Sequence, residues 1–181
     1  TCDHMERAHL TILRDFLNRL KIEPIHAILD AGSGKTSLSA LIECFPESEI
    51  DAIVFPGDTR KINSIKENIH GKYHLIECDL CKETITKPYD LVLAHLLLGE
   101  ATKFGNPFSF LLERLLNIPA IYMIIIDYLQ DPTVDFAMIE DYIKTRPIRF
   151  IQKLTAENAD PQQFSGFIGN TNIGYLLGKQ P

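Results

Sequence analysis

Ile28-Leu-Asp-Ala-Gly-Ser-Gly34 sits between two segments of different period. Ahead of it, His26-Ala-Ile-Leu29 is a short apolar run, as in a buried strand. Behind it, Thr36 or Ser37 is placed to cap a helix whose inner face is Leu38, Leu41, Ile42 and Phe45. The spacing therefore predicts strand, tight turn, helix. Gly32 and Gly34 permit the turn and leave room for a ligand to approach the backbone. The helix N-terminus beyond offers unpaired N–H groups and a partial positive charge, which suit a carboxylate or a phosphate.

Outward from this turn the same alternation repeats. Ile50-Asp-Ala-Ile-Val-Phe55 reads as a second strand closed by Pro56-Gly57, and a helix from Thr59 turns Ile62, Ile65 and Ile69 inward. Tyr73–Cys78 and Tyr89–Ala94 are expected as strands three and four. Asn106-Pro107 opens a helix carrying Leu111, Leu112, Leu115 and Leu116, where proline fits because the first turn needs no N–H. Ala120–Ile126 is almost wholly apolar, as a central strand covered on both faces must be. A helix is expected near 134–145 and an amphipathic one upstream over 5–20, with Ile12, Leu13, Phe16, Leu17 and Leu20 on one face. Ile148–Thr155 and Gly174–Gly178 lack helical period and read as a closing antiparallel pair. Five β–α alternations followed by that pair predict a three-layer α/β sandwich. Its seven-stranded sheet is mostly parallel and ends in a C-terminal antiparallel hairpin, all within one domain spanning 1–181.

Composition narrows the function classes. The chain has 181 residues, 45% of them hydrophobic and 23% charged, a balance that argues against disorder. A formal net charge of −6 without a cluster of Lys and Arg disfavours nucleic acid as a partner. No apolar run approaches the roughly 20 residues a membrane helix needs, and Thr1-Cys-Asp-His-Met-Glu6 has no secretory apolar core. A chain that opens on Thr is expected to be part of a longer one. Cys2, Cys44, Cys78 and Cys81 are too sparse for a disulfide framework and suit a reducing, cytoplasmic setting. Cys78-Asp-Leu-Cys81 has metal-like spacing, but no second pair completes four ligands, so no metal site is expected.

With these elements in order, the sequence resembles the class I S-adenosylmethionine-dependent methyltransferases, and the resemblance extends over nearly the whole chain. Ile28–Gly34 looks like that family's first motif, in which the glycines accommodate the methionine part of the cofactor. The resemblance implies S-adenosyl-L-methionine as cofactor and a small-molecule or protein methyl acceptor. It assigns cofactor binding to Asp30, Ala31, Gly32, Ser33 and Gly34. Glu77-Cys-Asp-Leu80 matches the family's acid after strand three, so the resemblance puts Asp79 at the adenine amine and Leu80 against the ring. Two positions depart from the pattern. Lys35 stands at the third glycine, and Phe55-Pro56 occupies the place of the ribose-binding acid. Asp58 follows closely and has two readings: it reaches the ribose if the Pro-Gly turn folds back, or it caps the helix that starts at Thr59.

Ligands of open α/β sheets bind beyond the C-terminal strand ends, which puts His95, Glu100, Asp127 and Tyr128 near the transferred methyl group. His95 is the candidate general base, with cofactor contact as its other reading. His95 with Asp127 makes only two ligands for a divalent ion. Phe104 is either core or substrate-side wall. Members of the resembled family that methylate amide or adenine nitrogen carry an Asn/Asp-Pro-Pro-aromatic string after strand four; Ala94-His-Leu-Leu-Leu98 stands there, so the resemblance disfavours those acceptors. Gly34-Lys-Thr36 also invites a phosphate-loop reading, but that loop wants glycine where Leu29 stands, and Asp30 would set a carboxylate beside the phosphates. The second function class is a non-catalytic cofactor-binding or partner-interaction module with the same fold.

Overall fold

Strand pairing carries the alternation into one sheet. The computed structural model describes residues 13–14, 17–18, 24–128, 131–154 and 172–179. The strands are β1 (Ala27–Asp30), β2 (Glu49–Val54), β3 (His74–Glu77), β4 (Tyr89–His95), β5 (Ala120–Tyr128), β6 (Ile148–Leu154) and β7 (Asn172–Lys179). Their spatial order is β3-β2-β1-β4-β5-β7-β6. The first five pair in parallel, and β7 runs antiparallel to both β5 and β6. The helices are α1 (Lys35–Cys44), α2 (Thr59–Asn68), α3 (Phe108–Leu116) and α4 (Phe136–Thr145). This is the predicted mostly parallel seven-stranded sheet with its C-terminal antiparallel pair.

Side-chain alternation sorts the core into two layers. Along β4, Leu91 and Leu93 face α1 and α2 together with Ile28, Ile50 and Leu38. Val92 and Ala94 face the other way, into a layer with Leu29, Leu111, Leu115 and Ile139. β5 divides likewise, with Ile124 and Ile126 on the first face and Met123 and Ile125 on the second. Because the central strands bury both faces, they need continuous apolar runs, which is why β5 was legible as central. Most of the expected 5–20 helix lies outside the described residues, but Leu13 and Leu17, one helical turn apart, are buried in the first layer.

Two local features differ from expectation. Neither Thr36 nor Ser37 is the cap of α1: the cap position is Gly34. Ser37 Oγ does accept from Gly34 N (3.2 Å), but it donates to Asp30 Oδ2 (2.7 Å), since a buried carboxylate is a stronger acceptor than a neutral oxygen. A 3-10 helix, Leu98–Phe104, also follows β4. It has no amphipathic period to betray it. It begins just after Leu96, whose φ of 59° is in the left-handed region, and closes on Gly105 at φ 66°.

Candidate functional site

At the end of β1 the chain turns over Ala31–Gly34 and is pinned to both neighbouring strands. Ala31 N donates to Leu93 O of β4 (2.8 Å) and Ser33 N to Ile53 O of β2 (2.7 Å). β2 and β4 flank β1, so strand order reverses here, the usual place for a ligand crevice in an open α/β sheet. Asp30 lies fully buried beneath the turn, and its Oδ2 accepts from Ser33 Oγ (2.6 Å) and Ser37 Oγ (2.7 Å). Its Oδ1 has no partner among the described residues. Burial pushes this carboxyl up to about 6, against the two hydroxyls and the more distant Lys61 charge.

The two glycines of the turn do different things. A Cβ on Gly32 would stand 2.8 Å from Leu97 Cδ1 and 3.2 Å from Leu97 Cβ, so the protein's own packing already calls for a glycine here, whatever approaches from the cavity. A Cβ on Gly34 would meet nothing within 4 Å. Gly34 therefore faces the open side of the turn.

That side is a cavity of about 240 Å³. Gly32, Gly34, Thr36 and Ser37 form one wall with the N-terminus of α1, and Lys35 and Lys61 add positive charge beside it. His95, Leu96 and Glu100 line the cavity too, with Glu100 Oε1 3.6 Å from Lys61 Nζ. A helix N-terminus, two lysines and a carboxylate in one cavity lining suit a zwitterion, the ionic form of an α-amino acid. Leu96 is held at its strained φ by Leu96 N→Ile126 O (2.8 Å), and such strain is concentrated at functional sites.

A second hollow adjoins the first and measures only about 10 Å³. Ile53, Phe55, Cys78, Leu97 and Phe104 surround it. Phe104 meets Phe55 edge-on with ring centroids 5.1 Å apart. Lys103 Nζ lies 5.8 Å from the Phe55 ring centre and 2.6 Å from Asp58 Oδ2. Asp58 Oδ1 accepts from Lys61 N (3.2 Å), so Asp58 caps α2 and both its oxygens are engaged. The Lys103 hydrogen bond holds its carboxyl below the usual range. Glu77, at the end of β3, fixes the Pro56-Gly57 turn through Gly57 N→Glu77 Oε1 (2.9 Å).

The structure gathers Gly32, Gly34 and His95 around the larger cavity and Ala31 and Ser33 around the hollow. Asp79 and Leu80 line neither. Asp79 is buried in a tight turn, with Oδ1 accepting from Cys81 N (2.9 Å), and Leu80 O is held by Arg114 Nε (2.8 Å). Cys78 is the residue of this strand end that reaches the hollow. Asp127 is also absent from the cavity wall, being 1% exposed. Neither of its oxygens has a hydrogen bond of normal geometry among the described residues. Burial raises its carboxyl to about 7, against the nearby Tyr128, Gly99 and Leu98 amides and with Asp131 adding repulsion. No group of three or more His, Cys, Asp or Glu side chains among the described residues is placed to hold a metal ion. Lys61, Leu96 and Lys103 were missed from the sequence. The one available signal was Lys61, one helical turn after a candidate cap at Asp58.

No family model matches the sequence, and no curated protein matches it either. Solved structures do resemble the fold. The plantazolicin methyltransferase BpumL, solved in complex with SAH, is 16% identical, with 97% of this chain and 84% of that one covered at a TM-score of 0.67. The N-methyltransferase NodS from Bradyrhizobium japonicum is 7% identical, covering 98% and 97% at 0.64. A TehB-like SAM-dependent methyltransferase from Corynebacterium glutamicum is 14% identical, covering 95% and 88% at 0.66. The chain thus has the class I, Rossmann-like methyltransferase fold.

Proposed function

We propose that the protein is an S-adenosylmethionine-dependent methyltransferase acting on a small-molecule or protein acceptor. The observation that carries this reading is the 240 Å³ cavity at the strand-order reversal, lined by a helix N-terminus, two lysines and a carboxylate. The residues present fit the amino-acid half of that cofactor. Gly34 leaves the space, the α1 amides with Lys35 and Lys61 suit its carboxylate, and Glu100 suits its ammonium group. The structural neighbours support the same cofactor, since BpumL was solved with SAH and the TehB-like protein is described as SAM-dependent.

When bound, S-adenosylmethionine supplies a methyl group on a sulfonium. The protein's part is positioning and proton removal. His95, at the end of β4 and on the cavity wall, is suited to take the proton that an oxygen or nitrogen acceptor loses on methylation. Leu29 speaks against a phosphate loop, because it is an interior residue of β1, paired with Asp51 and Val92. We further infer a single domain and a reducing, cytoplasmic setting, the latter supported by free thiols at Cys44, Cys78 and Cys81. No helix among the described residues is long and apolar enough to cross a membrane.

Calorimetric titration with S-adenosylmethionine, S-adenosylhomocysteine and ATP tests the reading. Binding of the first two without ATP is expected, with methyl transfer to at least one member of a panel of phenols, amines, thiols and peptides. Binding of ATP alone overturns it. A non-catalytic cofactor-binding module is the second reading, favoured by the full engagement of Asp58 where a ribose partner is needed. Tight cofactor binding with no turnover across the panel selects it.

A further inference from the structure

Three ties fasten residues 98–104 across the end of β2. Lys103 Nζ pairs with Asp58 Oδ2 at 2.6 Å, Glu100 Oε1 stands 3.6 Å from Lys61 Nζ, and Phe104 packs edge-on against Phe55. Beneath them the cleft shrinks from about 240 Å³ to about 10 Å³. The larger space suits an amino acid. The smaller, aromatic-walled one continues toward β2, the direction an attached nucleoside must take, and is too small to admit any ring.

The segment is built to move. Its 3-10 hydrogen bonds are geometrically poorer than those of an α-helix. It is bounded by two residues in left-handed conformation, Leu96 (φ 59°) and Gly105 (φ 66°), where a small dihedral change re-aims the chain between them. Its ion pairs are partly solvent-exposed, with side-chain exposures of 36% and 18% for Lys103 and Asp58. Pairs of that kind are weak and screened by salt.

We propose that residues 98–104 form a strap latched by Lys103 onto Asp58, which closes the nucleoside half of the cleft and must lift for a cofactor bearing adenosine to enter fully. Lifting withdraws Phe104 from the Phe55 ring and leaves that aromatic face for the incoming base. It also frees Asp58 Oδ2 for a hydroxyl donor, while Oδ1 continues to cap α2. A cofactor then binds in two stages: amino-acid end first, in the open cavity, and adenosine second, against the cost of breaking the latch. This inference rests on the methyltransferase reading of the same site.

The test compares wild type, Lys103→Gln and Lys103→Arg by calorimetry, with S-adenosylhomocysteine and with free methionine as probes, at low salt and near 0.5 M salt. Lys103 does not line the amino-acid cavity, so methionine should bind all three proteins equally. Lys103→Gln should bind S-adenosylhomocysteine about three- to fivefold more tightly than wild type at low salt, the scale of one exposed ion pair. Lys103→Arg keeps the pair and should bind as wild type does. For wild type, added salt should raise the affinity for S-adenosylhomocysteine relative to methionine, and in Lys103→Gln that gain should shrink to what the remaining Glu100–Lys61 pair contributes. Equal or weaker S-adenosylhomocysteine binding by Lys103→Gln overturns the latch while the methyltransferase reading stands. S-adenosylhomocysteine binding by none of the proteins at either salt overturns both.

Discussion

At the N-terminal end of the sheet, Asp51 accepts from Tyr89 Oη (2.7 Å) and Lys87 Nζ (2.9 Å), and Asp90 Oδ2 accepts from the His26 and Ala27 amides. At the C-terminal end, Asp30 leaves Oδ1 unpartnered and Asp127 leaves both oxygens so, among the described residues. The pKa directions follow. Burial pushes Asp51 up, but the hydrogen bonds from Lys87 and Tyr89 outweigh it and hold the carboxyl below its ordinary range. At the other end burial wins, and Asp30 and Asp127 rise to about 6 and about 7. One end spends its acids on tying strands together. The other keeps buried carboxyls with unfilled hydrogen-bonding capacity and raised pKa values behind the turn, a pattern that clusters at functional sites.

The sharpest way to break this comparison is Gly34→Val. Its side chain enters open space, and φ −142° with ψ 174° suits a β-branched residue. S-adenosylhomocysteine affinity should fall thirtyfold or more, about 2 kcal/mol, with the melting temperature lowered only by the smaller cost of a valine at the α1 N-cap. A variant that binds normally would remove the turn from the site. Gly32→Val is a poorer probe, because the clash with Leu97 disturbs packing and binding together.

Tyr89→Phe addresses the satisfied end. It takes one donor from the buried Asp51 carboxylate and should cost about 1–2 kcal/mol in chemical denaturation, with cofactor affinity unaltered. Loss of binding in this variant would mean that the two ends are coupled.

Asp127→Asn, off the cavity wall, should have the smallest effect on cofactor affinity, and its effect on stability depends on pH. Because the folded-state pKa is raised from 3.8 to about 7, the native protein holds a proton that the unfolded chain releases between those values. Wild-type stability therefore falls as pH rises through that window, and the loss is complete above about 7. The Asn variant lacks this fall. Thermal melts should show it near wild type at pH 4, where a neutral acid and an amide are buried alike, and more stable than wild type at pH 8, where only the wild type buries a charge. A variant less stable than wild type at pH 8 would assign the Asp127 charge a structural role.

Much of the fold was legible in the sequence, for identifiable reasons. β5 announced itself as an apolar run, and Pro56-Gly57 and Asn106-Pro107 fell where elements change. The site was legible only at the turn. Both readings of Asp58 were visible, but its partner Lys103 lies 45 residues away, and no local pattern couples them. The strap holding that lysine has no helical period, and its start depends on a left-handed Leu96, an angle that leucine does not advertise. Gly32 looked like a ligand contact because sequence cannot tell a glycine that makes room for a guest from one that makes room for Leu97.

The bonds Ala31 N→Leu93 O and Ser33 N→Ile53 O also fix when the pocket comes into being. A turn anchored to two strands on either side of β1 cannot form as a local hairpin forms. It waits for the long-range closures that bring β2 and β4 together, and such closures are slow steps in folding. An unfolded chain should then have no residual hold on the ligand. Every part of the binding free energy becomes protection of the whole sheet, about 2.7 kcal/mol at a ligand concentration a hundredfold above Kd. In a cell, the level of cofactor would then set the protein's lifetime as well as its occupancy.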